Sequence, residues 1–186
     1  MSPTSYHTAP PRIQDVSDPP PNHQPMPRFD NSPAITDNGP MADHSEPTGT
    51  PLTVDVVNDT VRSHWADSPH VCIDIGPTFA VARHEIDQSR LRPGGFVPGP
   101  TMFSMADLVL WYLCFGALNR VEPMALTSEL SIRFLRPAQG QTLFARADLD
   151  KAGRTSVVGT VKLWMDDQPE RLVATAQGTY ALPREA

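Results

Sequence analysis

Residues 98–118 read PGPTMFSMADLVLWYLCFGAL, and the reading of this stretch decides the fold. After the Gly99-Pro100 break, Met102, Phe103, Met105, Ala106, Leu108 to Tyr112, Leu113, Cys114 and Phe115 place an apolar side chain at nearly every helical angle. A helix of that kind is expected to be buried on all sides, not laid on a surface. With Ser104 and Asp107 inside it, the run is expected to be too short for a bilayer. Asp107 is its single charge. A carboxylate in such a helix is costly unless paired or hydrogen-bonded, so it marks the candidate functional position.

The chain around this helix falls into two parts. Twelve of the 21 prolines lie in residues 1–51, where isolated apolar residues show no period. That composition predicts a disordered Pro-rich tail over 1–51, which cannot bury enough surface to offset its ordering entropy. The remaining domain, 52–186, carries 13 bases against 15 acids. No basic patch follows, so nucleic acid is not an expected partner. Cys72 and Cys114 sit in apolar surroundings without C-x-x-C spacing, as reduced core residues of a cytoplasmic protein would. No leader peptide or membrane anchor is expected from the pattern. His64, His70 and Cys72 form a loose set without a fourth ligand, so no metal is predicted.

Val54, Val57, Val61 and Trp65 recur at helical spacing and predict a short amphipathic helix between Leu52 and Asp67. Val71 to Pro77 reads as a break, and Phe79–Ile86 as the first strand, with His84 a half-exposed strand residue. A loop with the Pro93-Gly94-Gly95 turn leads to the long helix, which is expected to end near Gly116 to Asn119 with the glycine as its stop signal. Period-2 alternation then predicts four strands, near 126–134, 141–150, 156–165 and 171–182, joined as an antiparallel meander. The fold class is α+β: an antiparallel sheet wrapped around one long buried central helix.

Three stretches carry a family resemblance: Gly99 to Asp107 (GPTMFSMAD) opening the helix, Ser131 to Ala138 (SIRFLRPA) on the next strand, and the Lys151 to Arg154 turn (KAGR). Together they resemble the hotdog-fold acyl-CoA thioesterases of the phenylacetate-pathway type, over roughly residues 70–183. The resemblance implies a hotdog fold, an acyl-CoA substrate, no cofactor, and a homodimer or homotetramer whose active site is shared between subunits. It places the family's helix acid at Asp107 and its oxyanion-binding glycine at Gly99. The commonest helix opening in the family is His-Gly-Gly. Here Pro98 stands for the histidine and Pro100 for the second glycine, and a proline has no N–H to donate.

Thioester hydrolysis needs an attacking water or carboxylate and donors for the developing oxyanion. The start of a buried helix supplies free N–H groups, so Gly99 and Thr101 are the candidate donors. Asp107 is then a general base or a nucleophile. Ser104, Phe103 and Trp111 share its helical stripe and are candidate substrate contacts; Arg90, Arg92, Lys151 and Arg154 are available for the phosphates of coenzyme A, with Arg133 and Arg136 the candidate partners. Two other readings compete. If the helix begins later, Ser104-Met-Ala-Asp107 is a capping box and Asp107 a first-turn acid. A non-catalytic acyl-CoA-binding or dimerisation module would keep the fold without the chemistry. A serine triad lacks its G-x-S-x-G elbow, and a hotdog hydratase would want a histidine near the helix start.

Overall fold

In a computed structural model of the chain, residues 52–183 are described; the predicted Pro-rich tail lies outside them. The first helix, α1 (Val54–His64), is capped by Thr53, whose Oγ1 accepts the Val56 N–H at 3.3 Å. Val57 and Val61 face inward as the spacing predicts, whereas Trp65 lies just past the helix and is largely exposed.

Strands β1 (His70–Gly76) and β2 (Phe79–Glu85) follow as a hairpin, then a 3-10 turn at Gln88–Arg90 and the long helix α2 (Gly99–Leu118). After it come β3 (Leu126–Phe134), β4 (Thr142–Ala152), β5 (Ser156–Met165) and β6 (Leu172–Ala181). The six strands form one antiparallel sheet in the order β1-β2-β4-β5-β6-β3. Two expectations are corrected. Val71 to Gly76 is a strand, not a break; a bulge between Cys72 and Asp74 spoils the alternation that would have announced it. The last four strands are not a simple meander either. Only β4, β5 and β6 follow one another across the sheet, while β3 pairs with β6 at the far edge and β2 takes the place beside β4.

The sheet wraps around α2, whose residues Val109 to Gly116 are wholly buried with Leu143, Ala145, Val161, Leu163 and Ala174 against them. Each large side chain so buried contributes about 1.5–3 kcal/mol. At 20 residues the helix is long and apolar enough to cross a membrane, so it is burial in the sheet, not shortness, that makes it a core helix. One side of its N-terminal half is open: Phe103 is 41% exposed, Ser104 is exposed, and Asp107 and Leu108 are half-buried, while Met102, Met105 and Ala106 face the core. The helix ends at Asn119, which adopts the left-handed conformation (φ 50°) and donates to the Gly116 carbonyl. Gly116 is therefore not the stop. It lets α2 lie directly on the β1–β2 turn, where any Cβ would collide with the Gly76 carbonyl oxygen.

Candidate active site

The helix begins with Gly99, after Pro98 as N-cap, so Asp107 stands in its third turn. This removes the capping-box reading, because no helix start lies near Ser104. Two strands hold the carboxylate. Thr127 on β3 and Tyr180 on β6 face each other in register, and both hydroxyls donate to Asp107 Oδ1 at 2.7 Å. The phenolic hydrogen of Tyr180 is shared with the Asp107 main-chain carbonyl at 2.9 Å. Burial, with the neighbouring carboxylate as a smaller cause, pushes the Tyr180 hydroxyl far above its ordinary range. It therefore stays a donor at every working pH. Among the described residues no donor reaches Oδ2, which remains available to take a proton or attack a carbon.

Asp107 opens on a cavity of about 770 Å³. Ser104, Thr127 and Tyr180 line it beside the carboxylate, and Leu108, Trp111, Leu126, Val61 and Trp65 make an apolar end. A second cavity of about 540 Å³ lies at the start of α2, lined by Pro98, Thr101, Ser104, His70, His84 and Arg90. The two share Asp67, Pro69, His70 and Ser104, so they run into one another past the serine. Of the expected contacts, Ser104 and Trp111 thus join Asp107, and Thr101 lies in the adjoining cavity. Gly99 and Phe103 face an apolar hollow with Ile132 and Phe134, which meets the other two cavities at Ser104.

Several expectations need correction here. The Thr101 N–H is already given to the Pro98 carbonyl at 3.1 Å, which leaves Gly99 as the candidate donor of the pair. Arg133 and Arg136 line none of the three described cavities, and Arg90 is the arginine that does. Gly99 and Asp107 do not meet in one chain. Eight residues separate them along α2, about 12 Å in rise and about 80° in rotation. Thr127 and Tyr180 escaped the sequence reading, since each looks like an ordinary member of an alternating strand. Both thiols are buried and pushed up to about 12, so neither Cys72 nor Cys114 offers a thiolate.

His70 and His84 face each other across β1 and β2 with ring centroids 4.6 Å apart, and both Nδ1 atoms are buried without a partner. Burial, helped by the other imidazole, lowers His70 to about 4. The His84 imidazole is lowered too, again chiefly by burial. The unfolded chain protonates these groups near 6.5 and the folded one does not, so stability is full above 6.5 and falls on acidification toward 4. The melting temperature should be flat above pH 7 and fall between pH 6.5 and about 5, before carboxylates titrate. His70→Gln should flatten that fall in a melting series against pH.

The central helix inside a six-stranded antiparallel sheet is shared with solved proteins. A candidate thioesterase from a Silicibacter species superposes with a TM-score of 0.63 at 29% identity, over 70% of this chain and 92% of that one. The fold is the hotdog. Residues 94–171, from the turn before α2 to the start of β6, match the model of the Thioesterase superfamily. Other hotdog neighbours include a protein from Streptococcus mutans bound to acetyl-CoA (TM-score 0.55, 20% identity, 64% of this chain and 92% of that one). A variant of the phenylacetic acid degradation protein PaaI from Thermus thermophilus superposes with a TM-score of 0.54 at 18% identity, over 65% of this chain and 99% of that one. Among curated proteins, none matches this sequence. In this hotdog α1 lies outside the matched span, and Asp107, Thr127 and Gly99 lie inside it.

Proposed function

We propose that the protein hydrolyses an acyl-CoA thioester to the free acid and coenzyme A. The carrying observation is Asp107, held at Oδ1 by two neutral donors and left open at Oδ2 on the wall of a largely apolar cavity. The thioesterase match over residues 94–171 supports the same chemistry. Either Oδ2 takes a proton from water as the oxygen attacks the thioester carbon, or it attacks that carbon itself and water opens the resulting anhydride. In both cases the carbon–sulfur bond breaks and the thiolate leaves with a proton from solvent. Arg90, exposed beside the second cavity and paired with the exposed Asp87 at 3.1 Å, could exchange that weak ion pair for a phosphate of coenzyme A. A coenzyme A ligand in one hotdog neighbour is consistent with this placement. The resemblance to phenylacetate-pathway enzymes makes an aromatic acid one natural product.

The oxyanion donor comes from a second copy of the chain in this proposal, because Gly99 and Asp107 are about 12 Å apart along one helix. Among the described residues β3 pairs only with β6, and it carries the exposed Leu126 and Phe134 (63% and 50%), Phe134 sharing a hollow with the exposed Phe103. A partner there would cover this row and bring the two groups together. Purified protein should scatter light as at least twice the 20.4 kDa chain and release thiol from acyl-CoAs in a colorimetric assay. A monomer at micromolar concentration would remove the shared site. A dimer that binds acyl-CoA without releasing thiol would leave a binding module of the same fold.

A further inference from the structure

The apolar end of the Asp107 cavity is not built by the thioesterase-like segment alone. α1 closes it, through Val61 and the residues that follow, Trp65 to Pro69. α1 is fixed on the sheet by a buried two-way clamp: Asn58 Nδ2 donates to the Cys72 carbonyl at 2.9 Å, and the Cys72 N–H donates to Asn58 Oδ1 at 2.9 Å. Both partners are amide groups removed from water, so the clamp sets position as well as contributing stability. At the end of the helix so placed, Trp65 stands edge-on to Trp111, with ring centroids 5.8 Å apart and planes at 79°. That geometry is a favourable one for two aromatic rings. Trp111 lies one turn beyond Asp107 on the same stripe of α2, so the aromatic corner begins where the carboxylate ends. Trp65 is 56% exposed and lines the Asp107 cavity.

We infer that Trp65 is a specificity-determining residue, and that α1 shapes the cavity for a bulky apolar acyl group, long or ring-bearing, rather than an acetyl group. The inference rests on the hydrolase reading for its substrate and on the cavity alone for its wall. An acyl group whose carbonyl lies at Asp107 would run along Leu108 and Trp111 and end against Trp65, gaining surface burial in proportion to its length. A two-carbon acyl group would stop short of the corner.

The test compares wild type, Trp65→Ala and Trp65→Phe on acetyl-, octanoyl- and 3-phenylpropanoyl-CoA. In Trp65→Ala the ratio of kcat/KM for the better bulky substrate to that for acetyl-CoA should fall by about 10-fold or more, the range open to a hydrophobic pocket. Trp65→Phe should restore most of it. An equal loss on all three substrates would overturn the inference, since a purely structural role would act on every substrate alike. A second measurement removes the dependence on hydrolysis. Octanamide and 3-phenylpropanamide, neutral and free of coenzyme A, are titrated by NMR into wild type and Trp65→Ala. Binding weakened about 10-fold for either probe supports the wall even if no thioester is turned over, in which case only the hydrolase reading fails. Equal binding to both proteins, or none to wild type, overturns the wall whatever the turnover.

Discussion

Asp107→Asn should lose hydrolysis by about 10²-fold or more, the range expected for removing a general base, while keeping the shape of the site. The Asn carbonyl oxygen can accept from Thr127 and Tyr180 as Oδ1 does now, so the two strand contacts survive. What disappears is the charge on the atom that faces the cavity. Binding of a non-hydrolysable acyl-CoA thioether should change little. Stability should hold, because the substituted group is half-buried and its donors remain satisfied. Paired measurements of turnover and thioether affinity check this, and turnover at the wild-type rate would sink the assignment. A loss of affinity equal to the loss of turnover would instead make Asp107 a binding residue.

The largest effect on stability is expected at Gly116. A methyl group there meets the Gly76 carbonyl oxygen, with the Gly76 carbonyl carbon 3.3 Å away, and backbone cannot rotate aside as a side-chain tip can. Alanine is the better helix former by about 1 kcal/mol, so the sign depends on which term wins. Overpacking against a fixed backbone costs about 1–3 kcal/mol and sometimes more, and here the β1–β2 hairpin must move off the helix to relieve it. A net loss of about 2 kcal/mol is expected from urea denaturation. Gly153→Ala is the control. Its Cβ would come no closer than 3.5 Å to the Ser156 carbonyl, and the midpoint should barely move.

The helix was legible because its signal is density of apolar residues, which needs no partner to be read. So were β2, β4 and β5, whose inward residues such as Ala80, Ala82, Ala145 and Val161 alternate cleanly, and β6 beyond the buried pair Val173-Ala174. β1 was hidden by its bulge, since Ile73 and Asp74 both turn outward. The pairing of β3 with β6 was hidden for a different reason. Alternation says which face of a strand is buried but not which strand lies beside it. The site inherited that blindness: Asp107 stood out as a charge in an apolar run, while Thr127 and Tyr180 acquire meaning only through the register that sets them opposite each other. Arg133 and Arg136 came from the chemistry of the expected ligand, and neither lines a described cavity, although Ile132 and Phe134 on either side of Arg133 line the third. The three-residue sequence at 98–100 told the truth about one thing, that this helix opening departs from His-Gly-Gly, and the two histidines that line the cavities sit instead on β1 and β2.

The place of β3 at the far edge has a consequence for how the molecule reaches its final form. Leu126 pairs with Ala181, and Phe134 with Ala174, so this strand has no neighbour until a segment about 40–55 residues later in the chain arrives. Closing so long a loop must be paid in entropy before any ladder bond forms, and contacts of that separation assemble slowly. Local hairpins, β1 with β2 and β4 with β5, face no such delay. The two hydroxyls that grip Asp107 span the slow pair. During refolding, the carboxylate should therefore be fastened in one of the last events, after the core around α2 has gathered, and recovery of activity should lag behind recovery of helical signal.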